Sequence, residues 1–424
     1  MSSVKQEAGY YSVGGPVQPD RGCYVTRKAD EILFSRLAQG EYCQVFAPPD
    51  TGKTSLVAHT AERLREAGIA VAAVDLAQIS SRDLSEDVGR WYYSFAYRVM
   101  RALRVRANIQ TWWQDRAGLT NLQRLREFFL DIVLAETDQP VVICVDRIDA
   151  VLDRKVSLDL FGAIRACHDA RATEPEYRRL TFALLGAESV GHKIPQGGNS
   201  PFGIARTVTL QDFRPGELEP LTVGLGCDAM AGRVIAARVW YWTCGHPYLS
   251  QKIFRALARR DGEPDAGTVD AVVASQFLPR NAIRQEPHLS AVAEQLQHEN
   301  KTRVARLSLY GKIRKGGQVV ADPMLRPHRE LLRSGVVTID SNGRFEPRNR
   351  IYAAVFTAQW VNQSLPFSWR GLAVAAAVVA FAFMIPVWYT EYLPRPYINT
   401  LKAPDTEFVT ALDAFQRLRF LPGF

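Results

Sequence analysis

Through the N-terminal half of the chain, apolar residues gather into short runs of strand length, separated by stretches whose apolar positions recur at helical spacing. Residues 41–47 alternate into an apolar strand and 48–52 carry turn residues; from Lys53 onward, Leu56, Val57, Ala61 and Leu64 mark one face of a helix. Further strands are expected near 69–76, 141–146 and 180–186, with helical stretches between them. Strand and helix alternating in this way make a βαβ series and hence a parallel sheet, an α/β fold. The run Val141 to Asp146 is rich in β-branched residues, as a strand buried on both faces requires, and ends in a carboxylate. Residues 191–201 and 259–265 read as loops, and the chain carries no repeat.

Near the C-terminus the pattern changes. Residues 371–389 run without a charge, between Trp369 and Arg370 on one side and Trp388, Tyr389 and Tyr392 on the other. At about 1.5 Å per residue this reaches close to 30 Å, and the aromatic ends match an interfacial belt, so 369–392 is expected to be one transmembrane helix. The upstream flank carries Arg344, Arg348, Arg350 and Arg370, whereas Arg395 and Lys402 downstream are diluted by Glu391, Asp405 and Glu407. The positive-inside rule then puts the N-terminal domains in the cytoplasm, as a single-pass protein of the inner membrane with a short extracytoplasmic tail, 393–424. The chain ends on Leu-Pro-Gly-Phe with no polar close, as a boundary cut inside a longer protein would.

Composition changes this picture in two places. A chain of 424 residues with 47% hydrophobic content has room for about three domains, and disordered and fibrous classes are excluded. The net charge of +8 is concentrated at 301–350, which holds 12 basic residues against 4 acidic ones, so an anionic partner belongs at one surface. That window, lying just before the apolar stretch, admits apposition to an anionic membrane surface, a solvated face, or nucleic acid. The six cysteines form no C-x-x-C pair and sit in apolar stretches, which points to a reducing compartment. The seven histidines show no metal-ligand spacing, and residues 1–19 lack the apolar core of a cleavable signal.

The chemistry sits at the first strand-to-helix crossing, Ala47-Pro48-Pro49-Asp50-Thr51-Gly52-Lys53-Thr54-Ser55. This is a phosphate-binding loop in its expected setting: Gly52 lets backbone N–H groups face phosphates at a helix N-terminus, Lys53 supplies a point charge and Thr54 a hydroxyl for Mg²⁺. Ala47 stands where the first glycine is usual, and Pro48 and Pro49 have no N–H, so the cradle falls to Asp50, Thr51, Gly52, Lys53, Thr54 and Ser55. Asp146, at the end of its strand, is placed to hold the Mg²⁺ water shell. The next residue is Arg147, where such hydrolases carry a glutamate that orients water; Asp149 and Glu188 are the nearby stand-ins, each with a structural role as the alternative. Residues 90–103 interleave Trp91, Tyr92, Tyr93, Phe95 and Tyr97 with Arg98 and Arg101, a stripe that packs a helix on a sheet or stacks nucleobases.

Several motifs together resemble the AAA-like domain of the STAND class of P-loop signalling ATPases. Tyr24-Val25-Thr26-Arg27-Lys28-Ala29-Asp30 looks like that class's opening motif, and Asp146-Arg147-Ile148-Asp149 like its D-E-I-D with the glutamate replaced. Gly245-His246-Pro247 looks like the G-x-P of its helical lid, and Gly343 to Tyr352 is similar to its winged-helix unit. The resemblance covers about residues 10–365. It implies ATP or ADP with Mg²⁺ as cofactor, Val25 and Pro247 at the base, Arg206 as a phosphate sensor, and a switch that is closed with ADP and signals through an attached module or self-assembly. With the N-terminal composition and the apolar stretch read above, it divides the chain before the tail into five parts: 1–19 flexible, 20–215 nucleotide-binding, 216–285 lid, 286–365 winged helix and 369–392 transmembrane. The expected function is a membrane-anchored nucleotide switch with slow or absent hydrolysis. The alternatives are a membrane-tethered DNA-binding regulator and a nucleotide-stabilised scaffold.

Overall fold

Five strands, β1 (Cys43–Phe46), β2 (Ala70–Asp75), β3 (Val141–Asp146), β4 (Leu180–Gly186) and β5 (Arg206–Thr207), pair in the order β2-β3-β4-β1-β5, every pair parallel. All six residues of β3 and all seven of β4 are buried, which explains their unbroken apolar character. This computed structural model describes residues 9–79, 88–152, 155–187, 200–366 and 369–421, with the backbone alone for 369–375. The chain divides into two compact units, Met1–Ser364 and Leu365–Phe424.

One face of the sheet carries an aromatic core in which Trp91, Tyr92 and Phe95 of the helix Val88–Leu103 pack with Phe128, Phe129 and Phe182, all fully buried. Trp91, Tyr92 and Phe95 of the stripe are therefore core, whereas Tyr93 is half-buried and Tyr97 is exposed on the other side of the helix. The opposite face is covered by the helices Lys28–Ala38 and Lys53–Glu66, whose Leu33, Leu37, Leu56 and Leu64 meet Val45, Val142 and Leu185. With both faces covered, the strand ends are left for chemistry, where open α/β sheets bind ligands.

Beyond β5 come the helices Ala229–Thr243, Pro247–Leu257 and Ala266–Gln276, the first capped by Asp228, whose carboxylate accepts from the Met230 and Ala231 N–H groups at 2.8 and 2.9 Å. Three more helices follow, Pro287–Gln297, Arg303–Arg314 and Arg326–Arg333, then an antiparallel pair β6 (Val337–Ile339) and β7 (Phe345–Pro347), to which Val320 adds a bridge at Arg344. The helices Arg350–Val355 and Ala358–Ser364 close the first unit. The second unit holds the helix Trp369–Val387, continued through Tyr392, then Arg395–Lys402 and Phe408–Arg419. Among the described residues one helical stretch, Ala376–Lys402, is long and apolar enough by length and composition to cross a membrane, and 0% of its apolar window is buried within the protein.

Candidate functional site

The helix Lys53–Glu66 begins at Gly52, whose φ of +88° opens the turn that a side chain would strain; a Cβ there would also stand 3.1 Å from the Arg27 guanidinium. The first intrahelical bond is Leu56 N–H to the Gly52 carbonyl, so the N–H groups of Lys53, Thr54 and Ser55 have no helical acceptor and make an anion site. Thr54 Oγ1 donates to Asp146 Oδ2 at 2.8 Å, reaching past β4, which stands between β1 and β3. Lys53 Nζ lies back on its own loop, donating to the Ala47 and Pro48 carbonyls at 2.8 and 2.7 Å. Burial pulls the Lys53 ammonium below its usual range, opposed by Asp146, Asp149 and Asp50 and assisted by Arg348. Helix-start N–H groups with a lysine fit a polyphosphate, and a hydroxyl beside a carboxylate is the hard oxygen set that Mg²⁺ takes.

Arg27 braces the loop from the opening motif: it is 7% exposed and its Nη1 donates to the Thr51 carbonyl at 2.8 Å. Arg147, in the left-handed region at φ +54°, turns its guanidinium to Asp75 at the end of β2, the edge away from the loop, with Nε to Oδ1 at 2.7 Å. Asp149 accepts from the Ala187 N–H at 2.8 Å and so ties the turn after β3 to the turn after β4. Glu188 lies outside the described residues.

The other expected residues divide. Val25 borders an open groove of about 580 Å³ with Tyr24, Pro220, Val223 and Arg233, whereas Pro247 does not line it. Pro247 is buried at the first turn of its helix, which meets the residue just before the opening motif, Gln251 Nε2 donating to the Cys23 carbonyl at 2.8 Å. Arg206 is not brought to the loop. Strand β5 pairs only with the start of β1, opposite Cys43, so the Arg206 side chain is 66% exposed at the far end of that strand, near Glu41. Gly245 is required sterically: at φ +79° its Cβ would stand 1.9 Å from the Phe213 carbonyl oxygen.

Sequence reading missed the residues that the C-terminal part brings to the loop. Gly335, at φ +69°, packs so closely that a Cβ would meet Pro48 at 2.9 Å and Arg348 at 3.1 Å. Arg348 is held by Asp212 in a two-pronged pair at 2.7 and 2.6 Å, and the gap left among Pro48, Pro49, His288, Gly335 and Arg348 is only about 10 Å³. A chain of hydrogen bonds then crosses the molecule. His246 caps the helix Pro247–Leu257, its Nδ1 accepting from the Leu249 N–H, so its proton sits on Nε2 and faces Tyr352 Oη at 3.2 Å. The Tyr352 hydroxyl is then free to donate to His288 Nε2, and His288 Nδ1–H donates to Asp50 Oδ2 at 2.6 Å. Burial, with the Arg348 charge beside it, holds the His246 imidazole well below its usual value and therefore neutral. Burial alone would raise the Asp50 carboxyl, but the hydrogen bond from His288, with the Lys53 charge, keeps it below the usual range. Glu286 fixes the start of the helix that carries His288, capping Leu289 N–H at 2.8 Å while it binds Tyr248 and Lys252.

Comparison with known proteins agrees with this geometry. The chain is 31% identical over 369 residues to the uncharacterized WD repeat-containing protein slr0143 of Synechocystis; this covers 84% of the chain and 30% of the relative, so the chain spans about a third of that protein. Its fold is similar to the Aeropyrum pernix ORC2 protein solved as ADPNP-ADP complexes, with 13% identity, a TM-score of 0.51 and coverage of 85% of this chain and 98% of that one. A Walker-type ATPase of Pyrococcus abyssi matches at 13% identity and a TM-score of 0.49, over 81% of this chain and 98% of that one. The family description AAA-like domain matches residues 12–358, most of the chain, and with the loop, the Thr54–Asp146 pair and the strand order on the page, the protein belongs to the AAA-like domain family of P-loop ATPase fold.

Proposed function

We propose that this chain is a nucleotide-dependent switch of the STAND class, binding ATP or ADP with Mg²⁺, hydrolysing slowly or not at all, and anchored to the inner membrane by one span. The observation that carries the reading is the Lys53, Thr54 and Asp146 constellation with the C-terminal part seated directly on its loop. Lys53 and the N–H groups at the helix start would hold the phosphates, and Thr54 and Asp146 the metal's ligand sphere. Bound Mg²⁺ would supply neutralisation of phosphate charge. Arg147 supports slow turnover: its guanidinium is committed to Asp75 and carries no basic lone pair to direct water.

Three helices followed by a short antiparallel pair is the element order of a winged helix, and that is how we read the residues from Pro287 to Pro347. Its contact with Pro48 supports the closed member of a two-state switch. The stretch Ala376–Lys402 supports the anchor through its length, apolar composition and aromatic flank. The test is the melting temperature of the full chain in detergent with and without Mg²⁺-ADP or Mg²⁺-ATP. A ligand at 100 times its dissociation constant contributes about 2.7 kcal/mol, and Lys53→Ala should abolish the shift. An unchanged melting temperature in the unsubstituted chain would remove the reading.

A further inference from the structure

We infer that His288 is a positioning residue of the nucleotide site: by holding the Asp50 carboxylate it makes the phosphate loop receptive to phosphate only while the C-terminal part is docked. The inference rests on the nucleotide-binding reading above and adds to it a specific coupling residue.

An acid inside a phosphate loop is a liability. Asp50 lies three positions before Lys53, its side chain is 42% exposed, and an unpaired carboxylate there repels a polyphosphate. The backbone at Asp50 is itself at φ +59°, a conformation that a non-glycine residue adopts against steric resistance. Of the four non-glycine residues with positive φ among those described, Asp50 lies in the loop, Arg147 follows Asp146, and Cys244 precedes Gly245. What answers the Asp50 charge comes from 238 residues away in sequence: His288 Nδ1–H, at 2.6 Å.

His288 is built to hold that one direction. Its side chain is 3% exposed, Tyr248 stacks on its ring at 4.8 Å between centroids, and its second nitrogen is filled by the Tyr352 hydroxyl. Tyr352 is fixed in turn by His246 at the lid turn. With His246 Nδ1 accepting from the Leu249 N–H, one assignment of protons satisfies every group in the series, and in it His288 Nδ1–H points at Asp50. The lid, the C-terminal part and the loop therefore share one ordered series. Thermodynamic linkage requires the converse as well: nucleotide that favours the masked loop favours the docked C-terminal part by the same factor.

The test uses the full chain in detergent micelles, with Mg²⁺-ADP affinity read by titration of a fluorescent ADP and docking read by proteolysis between residues 286 and 365. His288→Ala should weaken ADP about tenfold, because it uncovers the carboxylate. Asp50→Asn alone should tighten binding, and Asp50→Asn in the His288→Ala background should restore most of the lost affinity while the C-terminal part stays open to protease. That restoration separates positioning from mere loss of structure, which removing a charge elsewhere would not repair. His288→Gln, whose amide still donates, should bind as tightly as the unsubstituted chain. Should His288→Ala not fold, His288→Gln against His288→Glu carries the same comparison, the added carboxylate weakening binding. Equal affinity in His288→Ala and the unsubstituted chain, or a double variant as weak as His288→Ala, overturns the inference. No binding by the unsubstituted chain, or binding that survives Lys53→Ala, overturns the nucleotide reading instead.

Discussion

Arg147 shows how one side chain can alter the chemistry of a site without altering its frame. It follows Asp146 directly, its own N–H donates to Asp146 Oδ1 at 2.8 Å, and its guanidinium turns away to Asp75. Arg147→Glu is expected to raise ATP turnover at least tenfold over the unsubstituted chain, measured as phosphate release that also requires Asp146. Gly245→Ala is expected to destabilise by about 3 kcal/mol or more, read as a fall in melting temperature, because the added carbon would overlap the Phe213 carbonyl oxygen at 1.9 Å. His246 gives a pH signature. Its folded value lies below its unfolded one, so the unfolded chain takes up the proton first; its stability contribution is complete above about pH 6.5 and is lost as pH falls from there toward the folded value. His59, also lowered by burial, acts with the same sign. Denaturation midpoints between pH 7.5 and 5 should fall with acid, and His246→Gln should flatten that fall. Lys53, Thr54 and Asp146 were legible because a loop at a strand-helix crossing and an acid at a strand end are local patterns. The partners of Asp50 and Asp146 were not, since His288 and the Thr54 rotamer are chosen by three-dimensional packing.

Among the elements, β3 and β4 were the easiest to read because burial on both faces leaves an unbroken apolar run. Strand β5 was invisible: two exposed residues at a sheet edge have no periodicity, and its pairing with Cys43 and Gln44 rather than the end of β1 is what removes Arg206 from the loop. The stripe at Trp91, Tyr92 and Phe95 was readable as a helix, and its burial follows from packing on the sheet rather than from any feature of its arginines. At the junction with the C-terminal helices the determining element is the turn into Arg348 after β7, where Arg348 pairs with Asp212 at 10% and 19% side-chain exposure. Removing one partner of such a pair leaves the other charge uncompensated at a cost of about 3 kcal/mol. Arg348→Ala is therefore expected to loosen the contact with the loop, read as faster backbone hydrogen exchange at 50–52 and 334–336, with the sheet unaffected.

For the molecule as a whole, the helices and strands after residue 286 converge on one loop through Gly335, Arg348 and His288, and the candidate site is thereby a property of elements far apart in sequence. The second unit is expected to hold the chain in a bilayer, and alkaline carbonate should leave the chain in the membrane pellet; release into the supernatant would remove the anchor. The basic window at 301–350 gives a further check. Duplex DNA binding that falls steeply with salt would favour the DNA-binding alternative, whereas a flat or absent response would remove it. The measurement that bears most directly on the central claim is the melting temperature of the full chain with saturating Mg²⁺-ADP, beside Lys53→Ala. The account predicts a rise of several degrees in the unsubstituted chain and none in Lys53→Ala. An identical melting temperature with and without nucleotide in the unsubstituted chain would contradict it.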